Sequence, residues 1–188
     1  MPEPASDKTF GIKNSRDLLR KLQWDITQIE KIPKSRTTEI AYGAFNAFLT
    51  GWHLHEWVWR DMSDEQRKSL QEQWHCDQKL MSVGDFGSVL RKRVFPLDIC
   101  REVATASKHA EVLRNPNPLV GASVQKGHGV ALSRDGGVLL HPNGGLLLVP
   151  TAKLIVKHGD DVYDAIEVLR NVREFWLGFV ETFKIGES

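Results

Sequence analysis

The sequence predicts a mainly α-helical fold: a bundle of four to five helices with a small antiparallel β-meander inserted before the C-terminal helix. Three observations carry this. Apolar residues recur at helical spacing from Leu18 to Leu113. From Leu119 to about residue 157 the pattern changes to short Val/Leu runs split by glycine-containing turn pairs. The last segment, VYDAIEVLRNVREFWLGFVETF, returns to a wide apolar helical stripe that needs the bundle for cover. At 188 residues and 41% hydrophobic, the chain suits one domain that buries roughly 70% of its unfolded surface. Residues 1–14 read as a flexible polar tail and 15–188 as a single domain. No internal repeat is apparent.

Ser15 is the expected cap of a first helix, in which Leu18, Leu19, Leu22, Ile26 and Ile29 share a face until Pro33 stops it. The long helix follows from near Thr37 to Met62, TTEIAYGAFNAFLTGWHLHEWVWRDM. Ala41, Phe45, Phe48, Leu49, Trp52 and Trp59 lie on one side of it, with His55 and Glu56 among them and His53 at the edge. Ile40, Leu54 and Val58 lie opposite, so this helix is expected to be central and covered from more than one direction. Ser63 and Gln66 form a capping box for a polar surface helix that docks by Leu70 and Trp74. Ser82 to Val94 is a shorter helix with Arg91, Lys92 and Arg93 in its last turn, where cations suit the helix dipole. Pro96 opens the next helix, Leu97 to Leu113, which brings Glu102 and His109 to one margin.

The turn pairs Gly127 to Gly129, Asp135-Gly136-Gly137, Asn143-Gly144-Gly145 and Gly159-Asp160 divide the meander of about 119–157 into three or four short strands. These are expected at about 120–126, 129–133, 138–141 and 146–157. Asp161 then opens the closing helix, at about 161–184.

Several function classes are excluded. A net charge of +1 gives no global field toward nucleic acid or an anionic membrane, so such a partner needs a local patch. Cys76 and Cys100 are too few for a disulfide framework, and no C-x-x-C suggests thiolate zinc. No signal-like start and no apolar run of spanning length are present, so the expected place is the cytoplasm and no membrane partner is expected. G-x-S-x-G, P-loop and dinucleotide fingerprints are missing.

Two stretches hold residue types that do chemistry. Glu56 on an aromatic face would need a partner or a ligand, because a lone buried carboxylate is costly. A site built from His53, His55, Glu56, Glu102 and His109 is one reading. The other is a structural cluster of hydrogen-bonded Glu and His joining two helices. Metal is not expected: the order His53-x-x-Glu56 reverses the E-x-x-H of di-iron bundles, and no second such motif occurs. No other cofactor is implied. Phosphate chemistry without metal is a third reading. Between Arg91 and Arg114 six cations (Arg91, Lys92, Arg93, Arg101, Lys108, Arg114) face only Asp98, Glu102 and Glu111. An arginine to hold a phosphate and a histidine to move a proton suffice for attack by an RNA 2′-hydroxyl on its own phosphodiester.

The segments AFLTGWHLHEWVW and CREVATASKHAEV carry a resemblance. They are similar to a bacterial group with a WH…EW helix and a later R-D-x-x-N-x-x-K-H helix, itself similar to the HEPN superfamily. That superfamily consists of compact helical bundles, often dimeric, many of which cleave RNA without metal through an R-x(4–6)-H motif. Here seven residues separate Arg101 from His109, Glu102 follows the arginine, and Thr105 stands where the group has Asn. The resemblance implies His109 as acid/base, Arg101 as phosphate ligand and Glu102 as its orienter. Lys108, His53, His55 and Glu56 would line the substrate pocket. The implied partners are RNA and a second copy of the chain. The competing expectation is a non-catalytic interaction or scaffold protein with a protein partner.

Overall fold

The computed structural model describes residues 9–76, 80–108, 120–133 and 135–186. Among them are six helices: α1 (Ser15–Lys31), α2 (Thr37–Asp61), α3 (Asp64–Gln73), α4 (Val83–Arg93), α5 (Phe95–Lys108) and α6 (Ala165–Thr182). A three-stranded antiparallel sheet, β1 (Val120–Val130), β2 (Leu148–His158) and β3 (Asp161–Asp164), precedes α6 in the order β1-β2-β3. The predicted fold class is the observed one.

The core lies around α2, against which α1, α4, α5 and α6 pack. Its buried stripe is Ile40, Ala44, Ala47, Gly51, Leu54 and Val58, spaced alternately four and three residues. Small residues dominate the middle, which lets the neighbouring helices approach closely. Trp176 of α6 is fully buried and donates its indole N–H to the Gly51 carbonyl at 3.0 Å. The sequence-based face of Phe45, Trp52 and Trp59 is thus the flank of the stripe rather than its centre; Phe45 is exposed and both tryptophans are half-buried. Lys21, Asp25 and Thr50 form a polar link between α1 and α2. The Lys21 ammonium donates to Asp25 Oδ2 (2.6 Å) and to Thr50 Oγ1 (2.8 Å).

The cap of α1 differs from expectation by one residue, and α6 differs by a few at each end. Asn14, not Ser15, caps α1, accepting from the Asp17 N–H at 2.9 Å. Ser15 is buried, and its own N–H donates to Asp61 of α2. The amide oxygen of Asn14 reaches the third helical N–H, the usual geometry of a cap. The Ser63–Gln66 capping box is present, and Ser82 with Asp85 forms a second one. Residues 161–164 pair with β2 before α6 starts, so Asp164 is its cap.

The meander differs more. β1 runs straight through Gly127–Gly129, pairing in unbroken register with β2 from Val120↔His158 to Val130↔Leu148. No turn forms there. A Cβ on Gly127 or Gly129 would come within 3.1 or 3.0 Å of the Thr151 side chain, so close cross-strand approach explains these glycines. The base of this ribbon joins the core through Val124, Ala152, Leu154 and Val156. Phe95 of α5 packs on the same face, its ring edge-on to His158 and tilted against Tyr163, with centroids 5.0 and 5.3 Å apart.

Beyond β1 the chain makes two equivalent turns before entering β2. Leu132 bridges Val138 and Leu140 bridges Leu146. The N–H of Ser133 donates to Gly137 and that of His141 to Gly145, both at 2.7 Å. Gly136 and Gly144 return bonds to Ser133 and His141, with φ of 87° and 84°. These turns expose an eight-residue repeat, LSRDGGV at 132–138 and LHPNGGL at 140–146, where no repeat was apparent in the sequence. The repeat closes on itself at the ribbon. Ala131 N–H donates to Leu147, Leu147 N–H to Leu139 and Leu139 N–H to Ala131, at 2.8, 3.0 and 2.9 Å. Three antiparallel legs therefore meet around a ring of three hydrogen bonds with approximate threefold symmetry.

Candidate functional site

The residues expected to do chemistry occupy three different surroundings. On α2, His53 and Glu56 form an outward pair, Nδ1 to Oε1 3.4 Å, with side chains 32% and 52% exposed. Glu56 is thus not a buried anomaly. It lies about 200° around the helix from Leu54, on the side away from the buried stripe. An exposed pair one turn apart on a helix is heavily screened and contributes little by itself.

His55 points the other way and is buried. Its ring lies 4.3 Å from the Trp52 ring, and its Nδ1 is 2.7 Å from the Trp52 carbonyl oxygen. A carbonyl only accepts, so Nδ1 carries the proton and donates. The ring is wedged against α4, where a Cβ added to Gly87 would lie 3.2 Å from Cδ2 and Nε2. Gly87 is the place where the histidine fits.

On α5 the Arg101 guanidinium donates from Nη1 to Oε1 of Glu102. Glu102 is buried and Arg101 half-buried. A phosphate reaching Arg101 would compete with this carboxylate for the guanidinium. His109 and the Lys108 side chain lie outside the described residues. Among the described residues no group of three or more His, Cys, Asp or Glu is arranged to hold a metal ion. Arg91, Lys92 and Arg93 at the end of α4 are exposed. Arg93 packs over the Trp74 ring at 5.7 Å and donates to the Trp74 carbonyl.

The feature that sequence reasoning missed is at the far end of the β-ribbon. Each of the three legs carries one aliphatic pair next to the hydrogen-bonded ring: Val130/Leu148, Leu132/Val138 and Leu140/Leu146. Directly opposed residues share a face, and residues two apart on an extended chain share it too. Alternation through Ala131, Leu139 and Leu147 therefore places all six side chains on one face. Their exposures run from 39% to 59%. The stretch 127–152 holds only Arg134 and Asp135 as charged residues, so this cap is apolar and nearly neutral. Two Gly-Gly turns at eight-residue spacing, each flanked by leucine or valine on both sides, were the signal that could have found it.

No helix among the described residues is long and apolar enough to cross a membrane. In comparisons with known proteins, no protein family, no curated protein and no solved structure matches the chain.

Proposed function

We propose that this protein is a non-catalytic interaction protein of the cytoplasm: a helical bundle that holds a β-arm and presents the arm's aliphatic cap to a protein partner. One observation carries the reading, the six exposed aliphatic side chains on one face of the cap. Contiguous apolar surface of this kind is uncommon on a soluble chain unless something covers it. The bundle supports it as a rigid base, since the ribbon is anchored through Leu154 and Val156 of β2, which are 8% and 0% exposed. The surroundings of the candidate catalytic residues fit the same reading. His55 acts as a packing residue with a fixed tautomer, and Arg101 is neutralised by its neighbour Glu102.

Cross-linking followed by mass spectrometry tests this in cells expressing the chain. Lys126 and Lys153 are exposed on the ribbon and serve as reporters. Cross-links from these two lysines to a protein partner are expected in the wild type and should be lost in Leu132→Asp/Leu140→Asp, while cross-links within the bundle persist. An identical set in both proteins would remove the cap from the argument. The RNA-directed reading implied by the HEPN resemblance, with Arg101 and His109 acting together, predicts something else. Cleavage of single-stranded RNA in EDTA, lost in His109→Ala with folding intact, would replace the present proposal.

A further inference from the structure

We infer that the partner of the cap is the cap of a second copy of this chain, packed face to face about a twofold axis. This rests on the reading of the cap as an interaction surface and names its occupant. Three properties of the cap select a second copy.

The first is charge. A surface evolved for an acidic or basic partner carries complementary charges at its rim. Here the stretch 127–152 carries one cation and one anion, Arg134 and Asp135, and is otherwise neutral apart from two histidines. Two identical neutral surfaces meet without like-charge repulsion, whereas a patch carrying one sign of charge would meet itself in an isologous contact. The second is side-chain chemistry. The cap is wholly leucine and valine, with no Trp or Tyr and no lysine in or beside the turns. A lipid-inserting tip would be expected to carry those anchors.

The third is area. The six side chains expose on the order of 500 Å² of aliphatic surface in each copy, within the range of about 300–600 Å² at which the largest apolar patch of a soluble chain often serves a function. With the polar turns at 133–137 and 141–145 around them, the contact reaches roughly 600–800 Å² per partner, the lower-to-middle range of specific interfaces. A dimer of micromolar affinity is the expected result, since area in this range without buried charged anchors gives modest binding. The approximate threefold symmetry of the cap adds a geometric point. Its three aliphatic pairs surround one centre, so a second copy meets it in several nearly equivalent rotations.

The experiment is sedimentation velocity of the full chain across concentrations from about 1 to 200 µM, bracketing the expected micromolar dissociation constant. The wild type should shift from monomer toward dimer. Leu132→Asp/Leu140→Asp and Leu132→Lys/Leu140→Lys should each remain monomeric at the highest concentration, with far-UV circular dichroism unchanged because the two replaced side chains are exposed. Mixing the Asp and Lys variants should restore the dimer, since opposite charges then face each other across the contact. That rescue is specific to cap-on-cap pairing and would not occur if the substitutions had damaged the fold.

A wild type that stays monomeric throughout overturns the self-pairing. In that case cross-links from Lys126 and Lys153 to a different protein would leave the broader interaction reading standing. Their absence would end both. A monomeric wild type that co-floats with phosphatidylglycerol vesicles would assign the cap to lipid instead. A wild-type dimer that both double variants retain would place the interface elsewhere on the bundle and would equally overturn the inference.

Discussion

Cys100 sits where three helices cross. A Cβ added to Gly51 of α2 would lie 3.2 Å from its sulfur and 3.1 Å from Val172 of α6. A methyl group there would press on both neighbours, so glycine suits this crossing. The thiol is fully buried, and burial pushes its ionisation far above the ordinary range, since the thiolate would lose its hydration. Cys76 is half-buried and also free. A thiol reagent should therefore label Cys76 in the native protein and reach Cys100 only after unfolding in urea; rapid native labelling of both would contradict the packing. The same burial links stability to pH. An unfolded cysteine ionises near about pH 8.5, whereas Cys100 in the folded state stays protonated well above it. This contribution is whole below about pH 8.5 and is lost as pH rises above it, by at most about 1.4 kcal/mol per unit. Urea titrations between pH 8 and 10 should show a steeper decline for the wild type than for Cys100→Ala. Neither burial nor the crossing was legible in the sequence, where Cys100 counted only as one of two thiols. Glu56 marks the opposite error. Helical spacing put it beside aromatic residues, but those residues flank the buried stripe, and the small residues Ala44, Ala47 and Gly51 define its centre.

The helices were legible as elements because each has a 3.6-residue stripe with a chemical stop or start, such as Pro33, Ser63 and Ser82. The β-region was legible only as strands and turns of some number. All its glycine clusters look alike in the sequence, yet they do two different jobs. Gly127 and Gly129 make room for Thr151 across the ribbon. Gly136 and Gly144 supply left-handed backbone at φ of 87° and 84°, and Gly159 does so at 63° between β2 and β3. Which job a glycine performs depends on what lies opposite it, and that is a tertiary fact. The two equivalent turns give a test at this scale. Replacing Gly136 or Gly144 by Ala forces an L-residue into left-handed backbone at a cost of about 1–2 kcal/mol. That cost falls on the cap alone, whose few bonds are separate from the helical core. Hydrogen exchange of the Ser133 N–H in the first turn, or of the His141 N–H in the second, should accelerate roughly 5- to 30-fold while the urea midpoint of the bundle holds. A matching loss of global stability would mean that the cap and the bundle unfold as one unit.

At the scale of the molecule, the chain joins a helical bundle to an arm whose base completes the core and whose outer part lies beyond it. The core members contributed by the ribbon are Val120, Val124, Ala152, Leu154 and Val156, all at its base. Past the α1–α2 connection, where Lys34 and Thr37 line a groove with Lys126, His128 and Pro150, the ribbon faces mostly solvent. The net charge near zero, which excluded a global field from the sequence alone, agrees with a molecule whose distinctive surface is apolar. A clean division of labour follows, and excision tests it. Gly129 and Val149 are opposed in register, so an Asn-Gly turn in place of residues 130–148 can join them by a two-residue hairpin. The excision removes all six cap residues and leaves every core contact of the ribbon base. The shortened protein should keep its helical circular dichroism, and its thermal midpoint should move by no more than about 4 °C, the shift that about 1 kcal/mol causes in a domain of this size. It should also sediment as a monomer at concentrations where the full chain pairs. A fall of more than about 10 °C would show that the cap is a structural part of the bundle, and its aliphatic face would then serve folding rather than contact.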